Sequence, residues 1–457
     1  MKIRLVSHAS VITATPDAVF WCDPWLFGKA FNDSWSLFPD AAWDPAWLDA
    51  IDFVWISHEH PDHLHFPTLK SLPEAWKKRV TVLYQDRASG EVVGALRRLG
   101  FEKVRLLSHR REVSLRPQTT ISCFHAPYGD SCLSIRGGGE VCVNVNDAQV
   151  TESDCAAIRA DMGRVDVVLK QFSLAGYTGG KDYANQLPGM AESILSHLTN
   201  VHRWLEARAT IPFASFVYFS HGENRFVNEF ANRPRTAHER LELEGARSVL
   251  LYPGDEWDVG GTYDPAPVLE RFDAAYEGWG RLPYDEPAVV PRAELEKVFA
   301  TFSADIHDKF TQRRIGWVPP LRIRVPDLGE TLEMSIRNRT LESIGTGDEP
   351  AHLEVGSQAL EFAFRARFGF ETMSISSRVF VLDDIDWPWI LNRDLLWLYR
   401  WGIWLKPRWL LSPTNFRRVW PWFLENRLNR EFLQSFVHER IARLRARLGS
   451  ARSRLSY

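Results

Sequence analysis

The sequence predicts an α/β fold for most of this 457-residue chain. Short apolar strands alternate with turns and amphipathic helices from residue 1 to about residue 265, which is the pattern of a mixed α/β core. With 45% hydrophobic and 25% charged residues, the chain has the composition of a globular protein and not of a disordered, collagenous or disulfide-scaffold protein. Its length predicts two or three domains.

Runs of β-branched and aromatic residues that end in polar loops predict the strands of the first domain, residues 1–265. These runs lie at 3–5, 11–12, 19–21, 53–56, 80–83, 104–107, 120–124, 132–135, 141–145, 165–169, 213–218 and 248–251. Helices are expected over 67–72, 89–99 and 191–207.

Three further regions follow in the sequence. Residues 266–318 predict a helical connector with a helix at 293–302. Residues 319–386 predict a small α+β domain, with strands at 321–325 and 332–336, a helix around 357–368 and a strand near 372–380. This stretch resembles a sterol-carrier-protein-like module. Residues 387–457 are expected to form a basic, aromatic helical tail.

Charge and cysteine usage restrict the cellular setting. The net charge of −3 gives no whole-chain basic field, so nucleic acid is not expected as a partner. The five cysteines form no Cys-x-x-Cys pair, the N-terminus lacks an uninterrupted apolar core, and the sequence has no run of 18 apolar residues. These features predict a cytoplasmic protein without a disulfide framework, a signal peptide or a membrane span.

The strongest chemical signal is residues 57–66, Ser-His-Glu-His-Pro-Asp-His-Leu-His-Phe, directly after an apolar strand. His58, His60, Asp62 and His63 form the pattern H-x-H-x-D-H. Alternate residues of an extended loop place two imidazoles on one side, where they can share an ion, while Asp62 and His63 turn towards a second ion. The spacing therefore predicts a two-metal site.

This pattern resembles the motif of the metallo-β-lactamase superfamily, which implies an αβ/βα sandwich with the metals at one edge. The resemblance also implies a histidine, an aspartate and a histidine on later loops, for which His125, Asp147 and His221 fit. His58, His60 and His125 are then expected on one ion, and Asp62, His63 and His221 on the other, with Asp147 between them. Asp130 competes with Asp147 for the bridging position.

Other residues are expected around these ligands. Asp62, Asp147 and His8 are the candidate catalytic groups, since His8 also lies at a strand end. Asp23 fits a carboxylate that orients a ligand imidazole, although an Asp-Pro turn is an equal alternative. His65 is expected behind the ligands. Lys181, in a glycine-containing loop, fits either a substrate anion or a solvated turn.

Several stretches also resemble one family, the CMP-N-acetylneuraminate hydroxylases and their bacterial relatives, over about residues 3–260. They are His8-Ala9-Ser10; Asp23-Pro24-Trp25-Leu26 with Gly28, Ala30 and Phe31; Ser57 to His63 continuing to Pro67-Thr68-Leu69; Asp130-Ser131-Cys132; Gly179-Gly180-Lys181; and Pro212-Phe213-Ala214 before Ser220-His221. The resemblance implies iron-dependent hydroxylation of a polar small molecule, with electrons delivered through a Rieske cluster.

One departure from that family leaves two functions open. Cys123-Phe124-His125 is a C-x-H sequence, but no C-x-x-H follows it to complete a Rieske site. The first hypothesis is therefore a two-iron oxygenase that receives electrons from a separate ferredoxin or reductase. The alternative is a zinc or manganese hydrolase of a phosphoester, lactone or amide that uses a bridging hydroxide, because nitrogen and oxygen ligands suit all three metals.

The tail has a composition of its own. Residues 387–457 hold 14 basic and 4 acidic residues, and eight of the 19 tryptophans lie between Trp387 and Trp422. Arginine and tryptophan beside an apolar stripe suit docking on the acidic remainder of the chain or on a second subunit. They also suit peripheral contact with a membrane surface. An oligomer is compatible with the first of these alternatives.

Overall fold

A computed structural model describes residues 1–87, 90–316, 318–382 and 395–400, together with residues 402, 404, 406 and 408. The chain divides into two compact units: residues 1–300 with 320–335 and 340–385, and residues 301–319 with 336–339 and 386–457. This division differs from the four ranges expected from sequence, which remain predictions. Most of the expected tail at 387–457 lies outside the described residues.

The first unit begins with sixteen short strands. They are β1 (Lys2–Leu5), β2 (Val11–Ala14), β3 (Val19–Cys22), β4 (Lys29–Ala30), β5 (Trp35–Leu37), β6 (Phe53–Trp55), β7 (Thr81–Gln85), β8 (Lys103–Leu107), β9 (Val113–Arg116), β10 (Thr119–His125), β11 (Ser131–Gly137), β12 (Glu140–Asn146), β13 (Val167–Gln171), β14 (Ala209–Phe213), β15 (Val217–Phe219) and β16 (Glu256–Asp258).

Helices connect these strands and continue beyond them. They are α1 (Phe66–Ser71), α2 (Glu74–Arg79), α3 (Gly90–Arg98), α4 (Glu152–Met162), α5 (Tyr183–Leu205), α6 (Pro234–Leu243), α7 (Ala266–Glu277) and α8 (Arg292–Lys309), the last of which ends in the second unit. The start of α4 shows how local sequence sets a helix boundary. Thr151 and Asp154 form a reciprocal capping box that satisfies backbone N–H groups in the first turn.

Two large sheets pack face to face. One has the strand order β16-β1-β2-β3-β6-β7-β8 and the other β14-β13-β12-β11-β10-β9. A single apolar cluster joins their inner faces, with Phe20 and Trp55 from the first sheet and Ile121, Leu133 and Leu169 from the second. Burying these inner faces against each other removes apolar surface from water, which is the main stabilising contribution of the sandwich.

Helices cover the outer faces of both sheets. Leu69, Trp76 and Leu96 of α1, α2 and α3 pack with Val54 and Val82 of the first sheet. Helices α4 and α5 cover the second sheet in the same way, through a cluster that includes Ile158 and Val201. β6, β13 and β14 are buried along their length, and β12 is buried from Val141 onwards, so most of their residues are apolar. The expected αβ/βα sandwich is confirmed.

Two strand predictions in this region are wrong. The expected strand at 213–218 is two strands, because Ala214 has a left-handed φ of 50° and β15 pairs with β5 in a separate sheet of order β15-β5-β4. No strand is assigned at 248–251. The backbone N–H and carbonyl of Leu250 both bind the Tyr263 hydroxyl, so they are not available for a ladder.

The first unit also contains a five-stranded sheet of order β19-β18-β17-β20-β21. Its elements are β17 (Leu321–Val325), β18 (Glu330–Ser335), β19 (Thr340–Gly345), β20 (Leu353–Val355), α10 (Ser357–Arg365), α11 (Gly369–Ile375) and β21 (Val379–Val381). Of the expected strand near 372–380, residues 372–375 lie in α11 and only residues 379–380 lie in β21. Phe370 and Met373 are both buried, and their spacing of three residues suits one face of α11.

In the second unit, the end of α8 is followed by α9 (Gln312–Ile315), and α12 (Leu396–Arg400) lies within the expected tail. Tyr399 donates a hydrogen bond from its hydroxyl to Asp305, and its ring packs on Phe302. Among the described residues, no helix is both long enough and apolar enough to cross a membrane.

Candidate metal centre

The candidate site begins where two neighbouring parallel strands end. β3 and β6 pair in parallel, so the residues that follow them, Asp23 and Ser57, meet at one edge of the sheet. Asp23 accepts hydrogen bonds from the backbone N–H of Ser57 at 2.8 Å and from its hydroxyl at 2.7 Å. Asp23 has a left-handed φ of 44°, which costs an L-residue energy and indicates that its surroundings hold it in place.

The same carboxylate orients a histidine of the motif. Asp23 Oδ2 lies 2.8 Å from His63 Nδ1, and both side chains are fully buried. Ser57 Oγ lies 3.0 Å from His58 Nδ1. With their Nδ1 atoms engaged in this way, both rings present Nε2 to the other side. This is the arrangement by which an outer carboxylate or hydroxyl fixes a metal-binding imidazole.

Three overlapping groups of side chains then place their ligand atoms within 4.8 Å of one another. The first group is His58, His60 and Asp130. The second is His8, Asp62 and His63. The third is His58, His63 and Asp147, so Asp147 reaches one histidine of each of the other two groups.

The distances inside these groups fit metal coordination. His63 Nε2 lies 3.3 Å from Asp62 Oδ2 and 3.5 Å from Asp147 Oδ2. His58 Nε2 lies 3.8 Å from Asp147 Oδ2 and 3.9 Å from Asp130 Oδ1. Two ligands that each bind one ion at about 2.1 Å with tetrahedral geometry are about 3.4 Å apart. The two separations from His63 therefore match ligands of one shared ion, and the two from His58 are slightly wider than this value.

Unsatisfied polar atoms provide a second test of this fit. His63 Nε2, Asp62 Oδ1, Asp147 Oδ1 and His8 Nδ1 are buried and have no hydrogen-bond partner among the described residues. Leaving a buried polar atom without a partner is costly. All four of these atoms belong to residues of the three groups. Cations between these side chains would satisfy them, so the residues present fit a two-metal centre.

The electrostatics follow from burial and close charges. Burial alone raises the pKa of Asp62, but His63 and His8 outweigh it and hold that pKa well below its usual range. Asp147 is lowered in pKa by His63 and His58 in the same manner, again against the effect of burial. Burial raises the pKa of Asp130. Burial lowers the pKa of His60, but the carboxylates of Glu371, Asp130 and Asp62 together outweigh it and raise that pKa to about 9.

His8 lies in the second group, where its Nε2 is 3.1 Å from Asp62 Oδ2. Its ring packs at an angle against those of Trp25 and Trp35, so it is 98% buried. The structure thus brings His8, Asp62 and Asp147, the three expected catalytic residues, to one site.

His125 belongs to none of the three groups. It ends β10, where its Nε2 lies 3.2 Å from Asp86 Oδ1 and its backbone N–H donates to His109 Nδ1. Burial lowers the pKa of His125 to about 4. The first group contains Asp130, which the sequence offers as a rival of Asp147. The assignment of His125 as a metal ligand remains a prediction.

His221 also lies outside the three groups. Its Nε2 is 3.2 Å from Gln358 Oε1, and its Nδ1 is 3.5 Å from Glu223 Oε2. Arg378, whose side chain is 1% exposed, donates to both Glu223 and Gln358. His221 therefore joins the loop after β15 to α10 through a buried polar network. Its assignment as a metal ligand remains a prediction.

His65 and Lys181 belong to none of the three groups and contact other parts of the fold. His65 caps the start of α1 by accepting from the backbone and the hydroxyl of Thr68, and burial lowers its pKa to about 4. Lys181 forms an ion pair with Glu354. The glycine-containing loop before it packs on the segment after α11, where Val381 donates to the carbonyl of Gly179.

Sequence reasoning missed two residues beside the ligands. Ser57 precedes the motif, and its contact with Asp23 could have been suspected from the position of both residues directly after parallel strands. Glu371 lies in α11, more than 300 residues along the chain, and its Oε1 is 4.0 Å from His60 Nε2. No local pattern in the sequence connects Glu371 with the motif.

The family comparison identifies this architecture. Residues 2–169 match the model of the beta-lactamase superfamily domain, and this part of the chain has the metallo-β-lactamase fold. All seven residues of the three His and Asp groups lie within the matched residues.

Two relatives are similar to a larger share of this chain than the family model is. The chain is 28% identical over 406 residues to a Mycobacterium tuberculosis protein named as a Rieske 2Fe-2S iron-sulfur protein, covering 80% of this chain and 72% of the relative. It is 22% identical over 311 residues to the cytidine monophosphate-N-acetylneuraminic acid hydroxylase of Xenopus laevis, covering 61% of this chain. The chain spans about half the length of that hydroxylase, 51%.

Two solved structures align with part of this chain. A variant of the CmlA beta-hydroxylase matches with 18% identity and a TM-score of 0.40, covering 56% of this chain and 53% of its own. An isothiocyanate hydrolase from Delia radicum gut bacteria matches with 14% identity and a TM-score of 0.40, covering 56% of this chain and 98% of its own.

Proposed function

We propose that this chain is a two-iron oxygenase that hydroxylates a small, polar organic molecule. The observation that carries the proposal is the composition of the first two groups. Each contains two histidines and one carboxylate: His58 and His60 with Asp130, and His8 and His63 with Asp62. Two histidines and one carboxylate on one face of an ion, with other positions open, is the ligand set typical of non-haem iron oxygenases.

The third group joins the other two. Asp147 Oδ2 lies 3.5 Å from His63 Nε2 and 3.8 Å from His58 Nε2, so one carboxylate reaches a histidine of each group. Asp147 is accordingly proposed as the residue shared between the two ions. When bound, the ions supply the activation of dioxygen, and the chain's residues supply position and charge.

His8 is proposed to bind the second ion through one ring nitrogen and to take part in proton transfer through the other. Its Nε2 contacts Asp62, while its Nδ1 is buried and unpartnered among the described residues. The ring nitrogen of His8 that does not bind the ion is the atom that can exchange a proton with a group near the reacting atoms. Asp23 and Ser57 act through His63 and His58, whose Nδ1 atoms they contact.

The overall reaction has a requirement for electrons. Converting R–H and dioxygen to R–OH and water consumes two electrons and two protons. Cys123 of the C-x-H sequence is buried in β10, and burial raises its pKa to about 12, which does not favour a thiolate ligand. We propose that a separate ferredoxin or reductase supplies the electrons, in a reducing cytoplasmic compartment.

The test uses metal analysis and oxygen labelling. Protein purified without added metal is analysed for metals. The iron-loaded protein is then reduced chemically and mixed with ¹⁸O₂ and CMP-N-acetylneuraminate, a probe chosen from the relatives' names. The proposal expects two irons per chain and dioxygen consumption by the reduced protein that a His63→Ala variant lacks. A hydroxylated product carrying ¹⁸O would add the substrate class.

A metallohydrolase of a phosphoester, lactone or amide is the second candidate. The observation that favours it is the same set of nitrogen and oxygen ligands, which zinc and manganese also accept. Two zinc ions per chain, no dioxygen consumption after reduction, and hydrolysis of an ester or lactone probe in anaerobic buffer would replace the oxygenase proposal with this one.

A further inference from the structure

The turn that carries Asp147 is built by residues on either side of it. Asn146, at the end of β12, has a left-handed φ of 46°. Its side-chain oxygen accepts from the backbone N–H of Asp147 at 2.7 Å and of Ala148 at 3.1 Å, and its amide nitrogen donates to the carbonyl of Ser131 at 2.9 Å. The side chain of Asn146 therefore satisfies the N–H groups of the turn.

The carbonyls of the same turn bind a buried lysine. Lys170 lies in β13, opposite Asn146 in the parallel ladder, and is 1% exposed. Its Nζ donates to the carbonyl of Ala148 at 2.9 Å and to that of Asn146 at 3.3 Å. These are the two residues that flank Asp147 in the sequence.

A charged side chain at this depth is costly. Removing an ammonium from water carries a penalty that hydrogen bonds only partly offset, and an apolar residue of similar size often serves a protein core as well or better. Three of the other four residues of β13, Val167, Val168 and Leu169, are apolar and fully buried. Packing alone therefore does not account for Lys170, whereas its contacts with the Asp147 turn do.

We propose that Lys170 is a positioning residue of the metal centre. By holding the carbonyls on both sides of Asp147, it fixes the direction in which the Asp147 carboxylate points towards His58 and His63. Its ammonium group also interacts electrostatically with the carboxylates of Asp147 and Asp130. This inference rests on the proposed metal site but does not depend on which metal or reaction is present.

The chain offers a matched control. Lys77 is also buried, at 2% exposed, and its Nζ donates to the carbonyl of Lys70 at 3.0 Å and to Glu74 Oε1 at 2.9 Å. These contacts lie between α1 and α2 and include no member of the three metal-binding groups. A Lys77→Met variant removes a buried lysine with comparable contacts without touching the Asp147 turn.

The experiment compares Lys170→Met, Lys170→Arg and Lys77→Met with the unmodified chain. Cobalt(II) is the probe, because its visible absorption reports ligand geometry independently of activity. The readouts are cobalt stoichiometry, the absorption spectrum, and affinity measured by competition with a chelator. Lys170→Met is expected to bind cobalt about 10-fold to 100-fold more weakly with a changed spectrum, the usual effect of losing a group that orients a ligand. Lys170→Arg is expected to recover part of both, and Lys77→Met to match the unmodified chain.

The outcomes separate this inference from the proposed function. If the unmodified chain binds no cobalt, the metal site itself fails. If it binds two ions and a folded Lys170→Met variant shows the same affinity and spectrum, the positioning role is overturned. If Lys170→Met does not fold, Asn146→Gly decides: glycine tolerates the left-handed φ but removes the side chain that holds the turn. It is expected to change the cobalt spectrum, and an unchanged spectrum there would overturn the role of the turn.

Discussion

The sequence predicts metal-binding histidines both in the loop at 57–63 and at the ends of β10 and β15, but the structure gives the two regions different surroundings. Around the loop, Nε2 atoms of His58 and His63 converge with carboxylates, and their Nδ1 atoms are held by Ser57 and Asp23. At the ends of β10 and β15, His125 and His221 face Asp86 and Gln358 instead. Possible ligand atoms therefore converge on the histidines of the loop, whereas none of the three groups includes His125 or His221.

The difference also concerns how each side chain is supported. Asp23 is fully buried and binds two groups of Ser57 as well as His63, so the rings of the loop are oriented before any ion is present. Asp86, beside His125, is 38% exposed. Pre-oriented, desolvated ligands bind metal more tightly, so the two regions are expected to respond differently to the same kind of substitution.

The largest expected effect separates these histidines directly. His63→Ala removes a histidine whose Nε2 belongs to two of the three groups, so we expect loss of at least one ion per chain. His125→Ala is expected to retain the full metal content. Elemental analysis of both variants, checked for folding by circular dichroism, measures the difference. If His125→Ala loses as much metal as His63→Ala does, His125 is a ligand as well.

The two aspartates provide the next comparison. Asp147→Ala is expected to lower the occupancy of both ions together, since its carboxylate reaches a histidine of each group. Asp130→Asn is expected to weaken only the ion bound with His58 and His60. Titration with zinc, followed by calorimetry, resolves one binding event from two. A single-ion loss in Asp147→Ala would make that residue a terminal ligand.

Glu371 is expected to have a smaller influence. Its Oε1 lies 4.0 Å from His60 Nε2, so its negative charge acts on that ring, and Glu371→Gln is expected to weaken metal affinity about 10-fold. Glu354 is a matched control from the same sheet region, because it pairs with Lys181 and Arg324. Glu354→Gln should therefore leave the affinity unchanged. Chelator competition on both variants is the measurement, and equal affinities would remove Glu371 from the site.

The smallest expected effect is on the pH dependence of stability, and it comes from His197, which belongs to none of the three groups. Burial lowers the pKa of His197 to about 4, and its Nε2 contacts the carbonyl of Val150 at 2.8 Å. The unfolded chain, with an ordinary histidine pKa, binds this proton more readily, so stability falls as pH decreases from about 6.5 towards 4. Because part of the ring reaches solvent, the free energy of unfolding is expected to decrease by about 1 kcal/mol between pH 7 and pH 5.

His197→Gln removes that titration. The difference in Tm between pH 7 and pH 5 should be smaller in His197→Gln than in the unmodified chain, measured by calorimetry in metal-free buffer. An identical pH dependence in the two proteins would show that the ring is protonated equally well in the folded state.

Much of the fold followed from local sequence. The apolar runs that became β6, β12 and β13 were recognisable because strands buried on both faces carry few polar residues. Helix α1 was expected within one residue of its observed bounds. The predictions failed where local conformation depends on a partner: at Ala214, where the chain turns to pair β15 with β5, and at Leu250, whose backbone binds Tyr263.

The sequence by itself determined the motif at 57–63, because its ligands lie within six residues and one strand end brings them together. It also placed Asp23, His8 and Asp147 near this edge. Only the tertiary structure decided that Asp130 joins His58 and His60 while His125 turns to Asp86, and that Glu371 and Lys170 lie beside the ligands. These choices depend on which strands are neighbours and how far each turn rotates a side chain, and neither is encoded in a window of a few residues.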